Sequence, residues 1–158
     1  MPDTALPSGY ILGFDFGLRR IGVAIGQTAT HTASSLETVG HGREPDWIAI
    51  TRLVTEWKPA TLLVGLPLGP DGEETDMSKA ARRFGAALQK RFSLKVAYAD
   101  ERLSSRAAED RFVEMRASGR ARRKDASQLD SMAAQIILEN WLQSLHEQYP
   151  GFSTDQPA

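Results

Sequence analysis

The stretch that decides the fold is residues 10–27, which read YILGFDFGLRRIGVAIGQ. Two apolar, β-branched or aromatic runs, Tyr10 to Phe16 and Ile21 to Gln27, flank the four residues that begin at Gly17, and this pattern predicts a β-hairpin. Asp15 lies inside the first run. An acid there is costly to bury unless it is paired or bound to a cation. From the residue alone, a hydrogen bond to the Gly17 turn and a role as a metal ligand explain Asp15 equally well.

Strands and helices alternate beyond this hairpin. A weaker strand is predicted over Ser35 to Val39, and Pro45 opens a helix that Pro59 closes. Thr61 to Leu66 is a short apolar run, typical of a strand buried on both faces. A helix capped by Thr75 is predicted next, and it buries Met77, Ala80, Ala81, Phe84 and Leu88. It is followed by a strand over Lys95 to Ala99 and a helix from Ser104 or Ser105 to Met115. A basic loop over Arg116 to Lys124 and a helix over Ala126 to Leu145, capped by Asp125, complete the predicted elements.

This order predicts an α/β fold with a mixed five-stranded sheet covered by helices on both faces. A length of 158 residues with 41% apolar and 25% charged residues fits one domain. We expect that domain over residues 1–150 and a flexible tail over residues 151–158. The sequence has no cysteine, which excludes disulfides and cysteine-ligated zinc. No apolar run is long enough to span a bilayer, so we expect a cytoplasmic protein without a membrane partner.

The basic residues are unevenly distributed. The net charge is −1, yet 14 of the 19 Lys and Arg residues, and only five of the 20 acids, lie between Lys79 and Lys124. A segregated basic face, suited to nucleic acid, and ordinary solvated helix faces both explain this distribution.

Two further acids stand where they could join Asp15. Side chains alternate along a strand, so only one of Asp100 and Glu101 can readily share a face with Asp15, and periodicity does not say which. Asp130 begins a stripe on the last predicted helix that continues through Ala133, Ala134, Ile137 and Trp141 and is predicted to point inward. Three inward carboxylates suit a hard divalent cation, Mg²⁺ or Mn²⁺, and two such ions suffice for phosphodiester hydrolysis.

Glycines and histidines carry less information. Gly17 and Gly65 could bring backbone amides close to phosphate, although tight turns are the simpler explanation for each. His31, His41 and His146 have no metal-ligand spacing, and we expect them at the surface.

Four blocks of sequence lie between about residues 10 and 142. They are Gly13-Phe14-Asp15-Phe16-Gly17 with Arg20-Ile21-Gly22-Val23-Ala24, then Val64-Gly65-Leu66-Pro67-Leu68 with Asp71-Gly72, then Asp100-Glu101-Arg102-Leu103-Ser104, and finally Asp130-Ser131 with Ala133-Ala134. Through these four blocks the sequence resembles the bacterial YqgF family, also called RuvX.

The resemblance implies a ribonuclease H-like fold related to Holliday-junction resolvases and a role in trimming precursor small-subunit (16S) ribosomal RNA. It also selects Glu101 over Asp100, so that Asp15, Glu101 and Asp130 form the catalytic, metal-binding triad. The residues that we expect to contact structured RNA or branched DNA are Arg19, Arg20, Arg102, Arg120, Arg122, Arg123 and Lys124.

Three other functions compete with rRNA processing. The same metal site could cut four-way DNA as a Holliday junction resolvase, which would require a symmetric dimer, and the sequence leaves monomer and homodimer open. A nucleic-acid-binding factor that does not cleave, acting in transcription or ribosome biogenesis, is the second. The third is ATP binding, because Asp-Phe-Gly followed by a hairpin resembles the phosphate loop of actin-like kinases, although those proteins need two such domains.

Overall fold

The computed structural model describes residues 9–103 and 126–148. Its elements, in chain order, are β1 (Tyr10–Phe16), β2 (Arg20–Gln27), β3 (Thr32–Gly40), α1 (Trp47–Trp57), β4 (Thr61–Leu66), α2 (Asp76–Phe92), β5 (Lys95–Asp100), a single 3₁₀ turn (Glu101–Leu103) and α3 (Ala126–Gln148). No helix within the described ranges is both long and apolar enough to cross a bilayer.

The five strands form one mixed sheet in the order β3-β2-β1-β4-β5. The first three strands pair antiparallel as a meander, whereas β1, β4 and β5 are parallel. Strand β1 therefore lies at the centre, and Asp15 near its end pairs with Gly22 of β2. Because β4 and β5 run in the same direction as β1, all three strands end at the same edge of the sheet.

Helices cover both faces of this sheet, as predicted. On one face, Ile50 and Leu53 of α1 and Phe84 and Leu88 of α2 pack with one set of alternating strand residues, which includes Phe14. On the other face, α3 packs on the alternate set through the side chains of Ala134, Leu138 and Leu142. Each of the six residues of β4 is buried, which confirms the sequence-based prediction of a strand covered on both sides.

Side chains that satisfy free backbone groups set the starts of α1 and α2. Asp46 accepts a hydrogen bond from the amide of Ala49 (3.1 Å), so Asp46 is the cap and α1 begins at Trp47, two residues after the predicted start at Pro45. Thr75 and Ser78 form a reciprocal capping box at the start of α2, which confirms Thr75 as the cap.

The predicted inward stripe of α3 is displaced by one position. Ser131, Ala134, Leu138 and Leu142 are buried, whereas most of the predicted stripe is only half-buried, including Asp130. The physical reason is that α3 rests on strand glycines: Leu138 lies over both Gly13 and Gly26, where any side chain would displace it. Close backbone approach, rather than the apolar pattern of α3 alone, fixes which helix residues point at the sheet.

The prediction that the histidines lie at the surface is wrong. The rings of His31 and His146 are half-buried with centroids 4.4 Å apart, and they join the β2–β3 turn to the end of α3. His41 is also half-buried and donates from Nδ1 to the carbonyl oxygen of Gly17 (2.8 Å).

Several predicted features lie outside the described residues. They are the helix from Ser104 or Ser105 to Met115, the basic loop with Arg120, Arg122, Arg123 and Lys124, the cap Asp125, and the tail over residues 151–158.

Candidate active site

Asp15 and Glu101 meet at the edge where β1 and β5 end. Asp15 lies on the face of β1 that carries Ile11, whose side chain packs in the core under α3, and Glu101 is the first residue after β5. The two carboxyl groups are hydrogen-bonded to each other. The sheet thus brings together two acids that are 86 positions apart in the sequence.

Gly65 makes room for this contact. It lies on β4, between the strands that carry the two acids. A Cβ atom at Gly65 would lie 2.8 Å from Oε1 and 3.2 Å from Cγ of Glu101, and 3.0 Å from Cδ1 of Ile137 on α3. The side chain of Glu101 therefore crosses the sheet over the bare backbone of Gly65. The tight-turn explanation of Gly65 is wrong, because this glycine lies within a strand.

Gly22 brings the third acid to the site. A Cβ atom at Gly22 would overlap the main-chain carbonyl group of Asp130, so the first turns of α3 rest directly on the backbone of β2. Since Gly22 pairs with Asp15 across the hairpin, Asp130 lies beside Asp15. The negative charge of Asp130 contributes to the electrostatic environment of Asp15.

Burial and like charge perturb the titration of both paired acids. Loss of solvation, followed by the charge and hydrogen bond of Glu101 and the charge of Asp130, raises the pKa of Asp15 to about 8. Burial also raises the pKa of Glu101 above its usual range, although the hydrogen bond from Asp15 opposes that shift. The protonated carboxyl of Asp15 therefore donates to the carboxylate of Glu101. Among the residues that the structure describes, Asp15, Glu101 and Asp130 therefore crowd one site, in which Arg20 pairs with Asp130.

Asp100 lies at the end of the same strand but has a different environment. Its carboxylate binds the guanidinium of Arg102 at 2.6 to 3.1 Å and accepts from the backbone amide of that residue, and these bonds hold the pKa of Asp100 below its usual value. Arg102 also donates to the carbonyl of Pro70 (3.0 Å). The structure thus separates the two acids that strand periodicity left open: Glu101 joins Asp15, and Asp100 fastens the 3₁₀ turn.

Arg20 forms an ion pair with Asp130. The guanidinium Nε donates to Oδ2 of Asp130 at 2.6 Å, in an ion pair whose two side chains are 51% and 29% exposed. Arg20 begins β2 and Arg19 precedes it on the same turn, where both are exposed. Of the predicted nucleic-acid contacts that the structure describes, Arg20 therefore binds a site acid, Arg102 is engaged with Asp100, and Arg19 is exposed on the adjoining turn.

The β1–β2 turn is held from the opposite face of the sheet. His41 donates to Gly17 as described, and its backbone amide donates to the carbonyl of Arg19 (3.0 Å). A Cβ atom at Gly17 would lie 2.5 Å from the carbonyl oxygen of Arg20, so the tight-turn explanation of Gly17 fits. These contacts fix the direction in which Asp15 and Arg20 leave the turn.

The donor set fits a divalent cation. It offers only carboxylate oxygens, which hard cations prefer, and a bound cation would relieve the repulsion that raises the pKa of Asp15. Within residues 9–103 and 126–148, no three His, Asp or Glu side chains are already arranged as a coordination group. The carboxylate of Asp130 is instead paired with the guanidinium of Arg20.

Sequence reasoning did not recognise how two glycines assemble the site: it assigned Gly65 to a tight turn and gave Gly22 no role of its own. Gly22 and Gly65 each lie in a strand directly beneath a site acid or its backbone. A signal was present, since glycine inside a strand pattern indicates close approach of another group.

Comparison with known proteins gives a consistent result. A family model described as "RuvX: Holliday junction resolvase" matches residues 9–144. A relative from Nitrosococcus oceani is 50% identical over 133 residues, covering 84% of this chain and 85% of the relative. One from Xanthomonas euvesicatoria is 45% identical over 145 residues, covering 90% and 94%. Both relatives carry the name "Putative pre-16S rRNA nuclease".

Two solved structures share the fold. Thermus thermophilus RuvC in complex with a Holliday junction substrate aligns with a TM-score of 0.51 and 16% identity, covering 87% of this chain and 95% of that chain. The yeast mitochondrial Holliday junction resolvase aligns with a TM-score of 0.52 and 13% identity, covering 93% and 84%. The chain belongs to the RuvX family, whose members are nucleases of the ribonuclease H-like fold.

Proposed function

We propose that this chain is a metal-dependent nuclease that hydrolyses phosphodiester bonds in precursor 16S rRNA, with Asp15, Glu101 and Asp130 as the catalytic metal ligands. The observation that carries the proposal is the convergence of these three acids at one sheet edge, with the pKa of Asp15 raised to about 8. A cluster of repelling carboxylates destabilises the fold and therefore points to a function.

Each acid would have its own part in holding the cation. Asp15 must lose its proton, and Glu101 must exchange the hydrogen bond from Asp15 for a bond to the metal. Asp130 must leave Arg20. We propose that the site holds two divalent cations, either Mg²⁺ or Mn²⁺. When bound, such cations would supply Lewis acidity and an activated water molecule.

Arg20 links this site to the substrate. Its guanidinium is half-exposed, and phosphate oxygens are as good a partner for it as the carboxylate of Asp130. If a phosphodiester accepted a hydrogen bond from Arg20, the carboxylate of Asp130 would be free to hold the cation. Arg19 on the same turn, and Arg120, Arg122, Arg123 and Lys124 beyond the described residues, are the other proposed contacts to the nucleic-acid backbone.

The choice of rRNA rests on the names of the relatives, and the description of the family favours a second candidate, cleavage of a four-way DNA junction. A resolvase would act as a symmetric dimer. Whichever substrate is cut, we propose that residues 1–150 form a single nuclease domain.

Cleavage of matched substrates separates these two functions. Purified protein with Mg²⁺ or Mn²⁺ is incubated with an RNA that carries the flanks of 16S rRNA and with a four-way DNA junction. We expect cleavage of the RNA by the wild type and none by Asp15→Asn. Glu56→Gln removes an exposed carboxylate from α1 and should cleave like the wild type. Cleavage of the junction alone would refute the RNA assignment, and activity of Asp15→Asn would refute the site.

A further inference from the structure

A second cleft opens on the face of the sheet that carries α1 and α2. Its volume is about 490 Å³. It lies between the loop that follows β3 and the outer side of α2. Its lining includes three aromatic and three arginine side chains: Phe16, Trp47, Phe84, Arg43, Arg83 and Arg91.

The charge of this cleft is positive. Its lining has one acid, Glu44, against the three arginines. Arg43 and Arg83 are exposed, and neither forms an ion pair with another described residue. The guanidinium of Arg91 lies 4.1 Å from the centroid of the Trp47 ring. Arg43 and Arg83 are thus available to an anionic ligand, whereas Arg91 packs on the ring of Trp47.

The apolar part of the cleft is a continuous aromatic surface. The rings of Trp47 and Phe84 are nearly parallel, with centroids 5.8 Å apart, and those of Phe16 and Phe84 are 5.1 Å apart. Phe84 is buried, whereas Phe16 and Trp47 are partly exposed. Arg91 lies over Trp47 and the His41 ring lies 5.1 Å from that of Phe16, so a ligand would meet the exposed remainder of these two rings. Arginines beside open aromatic rings are the combination that holds unpaired bases and their phosphates.

The cleft reaches the same sheet edge as the three acids. Phe16 follows Asp15 in β1, and since strand side chains alternate, the carboxylate faces α3 while the phenyl ring faces the cleft. Leu18, at the tip of the intervening turn, is 64% exposed and also lines the cleft. A strand that crosses this turn can therefore touch both sites.

We propose that the cleft binds an unpaired nucleotide of the nucleic-acid substrate, with its base against the rings of Phe16 and Trp47 and its phosphate on Arg43 and Arg83. This inference rests on the proposed nuclease function and narrows its substrate to one with a single-stranded segment beside the cleaved bond. A paired base has no free face to offer the aromatic rings. An acidic peptide matches the charge but supplies no flat ring for them.

Fluorescence anisotropy with a labelled single-stranded RNA 12-mer, in EDTA so that no cleavage occurs, tests the proposal. The variant Arg43→Ala/Arg83→Ala should weaken binding about tenfold or more, and should reduce the slope of log affinity against log salt by about 1.4 because two phosphate contacts are lost. The matched control Arg52→Ala/Lys95→Ala removes two exposed charges elsewhere and should bind within about twofold of the wild type.

Two further ligands, an RNA duplex and a glutamate 12-mer, test whether the cleft prefers an unpaired nucleotide to paired RNA or to an acidic peptide. An RNA duplex of the same sequence should lose much less affinity than the single strand in the cleft variant, and a glutamate 12-mer should bind wild type far more weakly than RNA does. Equal losses for duplex and single strand, or glutamate binding as tight as RNA binding, would overturn the proposal. In the wild type, photocrosslinking with 4-thiouridine RNA should label the segments that contain Phe16 or Trp47, and labelling confined to other segments would count against it.

Failure of this proposal and failure of the nuclease assignment give different results. Binding is measured without metal. If the protein binds single-stranded RNA in the cleft but never cuts it, the cleft proposal stands and the nuclease proposal is refuted. If the protein cuts RNA but the cleft variant binds RNA as tightly as the wild type, the nuclease proposal stands and the cleft proposal is refuted.

Discussion

Replacing Asp15 by asparagine should stabilise the metal-free protein while it abolishes cleavage. In the folded chain the carboxyl of Asp15 is largely protonated at pH 7, because burial and neighbouring acids raise its pKa from 3.8 to about 8. In the unfolded chain the same group is ionised and solvated. Asparagine keeps the donor to Glu101 but removes the ionisation that favours the unfolded state.

The magnitude of the gain depends on pH. Between pH 4 and 8 the folded wild type binds the proton of Asp15 more tightly than the unfolded chain does, so wild-type stability falls as pH rises through this range. The fall is about 1.4 kcal/mol for each pH unit. The advantage of Asp15→Asn should be close to zero at pH 4 and should approach an upper limit of roughly 4 kcal/mol at pH 7.

Urea denaturation in EDTA at pH 4, 5, 6 and 7 measures this difference directly. Asp100→Asn is the matched comparison at the same edge of the sheet, and it should lower the free energy of unfolding at pH 7. Arg102 lowers the pKa of the Asp100 carboxyl, so the stability that this carboxylate contributes is present at pH 7 and is lost as pH falls through the lowered pKa. We expect Asp100→Asn to cost about 1 kcal/mol at pH 7. A loss of stability in Asp15→Asn at pH 7 would show that Asp15 has a structural role and would refute the metal-site reasoning.

Further substitutions test how the site is assembled. Gly22→Ala places a methyl group against the backbone of Asp130 and should cost about 1 to 3 kcal/mol together with cleavage activity, whereas Gly40→Ala, with nothing within 4 Å, should cost far less in urea denaturation. Arg20→Gln releases Asp130 and should bind Mn²⁺ more tightly but RNA more weakly; calorimetry that shows weaker Mn²⁺ binding would contradict the ion-pair argument. Calorimetric Mn²⁺ affinity of the wild type should rise as pH approaches about 8, because Asp15 must lose its proton, and a flat profile would exclude Asp15 as a ligand.

The strands were predictable from the sequence because their signals are local. The apolar runs of β1, β2 and β4 are short, bounded by turn residues, and match the observed strands to within one residue. Strand alternation also predicted correctly that Asp100 and Glu101 separate, and left open which of them faces Asp15. That choice depends on which face of β5 packs under α3: Ala97 and Ala99 lie there with Ile11, so the next alternate residue, Glu101, faces Asp15.

The orientation of α3 was not predictable in the same way. The helix carries apolar residues on more than one side, so its pattern does not single out one face. Its orientation follows instead from Gly13 and Gly26 beneath Leu138 and from Gly22 beneath Asp130. Glycine contributes nothing to an apolar pattern, and its effect emerges only when two distant segments are brought together.

One short turn joins the two proposed binding surfaces, and its rigidity is therefore central to both. Asp15 and Phe16 are consecutive residues on opposite faces of the sheet, and the turn that follows them is held at Gly17 and Arg19 by His41. A nucleotide bound against Phe16 would share this support with the carboxylate of Asp15. His41→Ala would remove the bond from the imidazole to Gly17 but keep the backbone bond to Arg19, and it would also change the lining of the cleft. His41→Ala should therefore weaken both RNA cleavage and the anisotropy signal for single-strand binding.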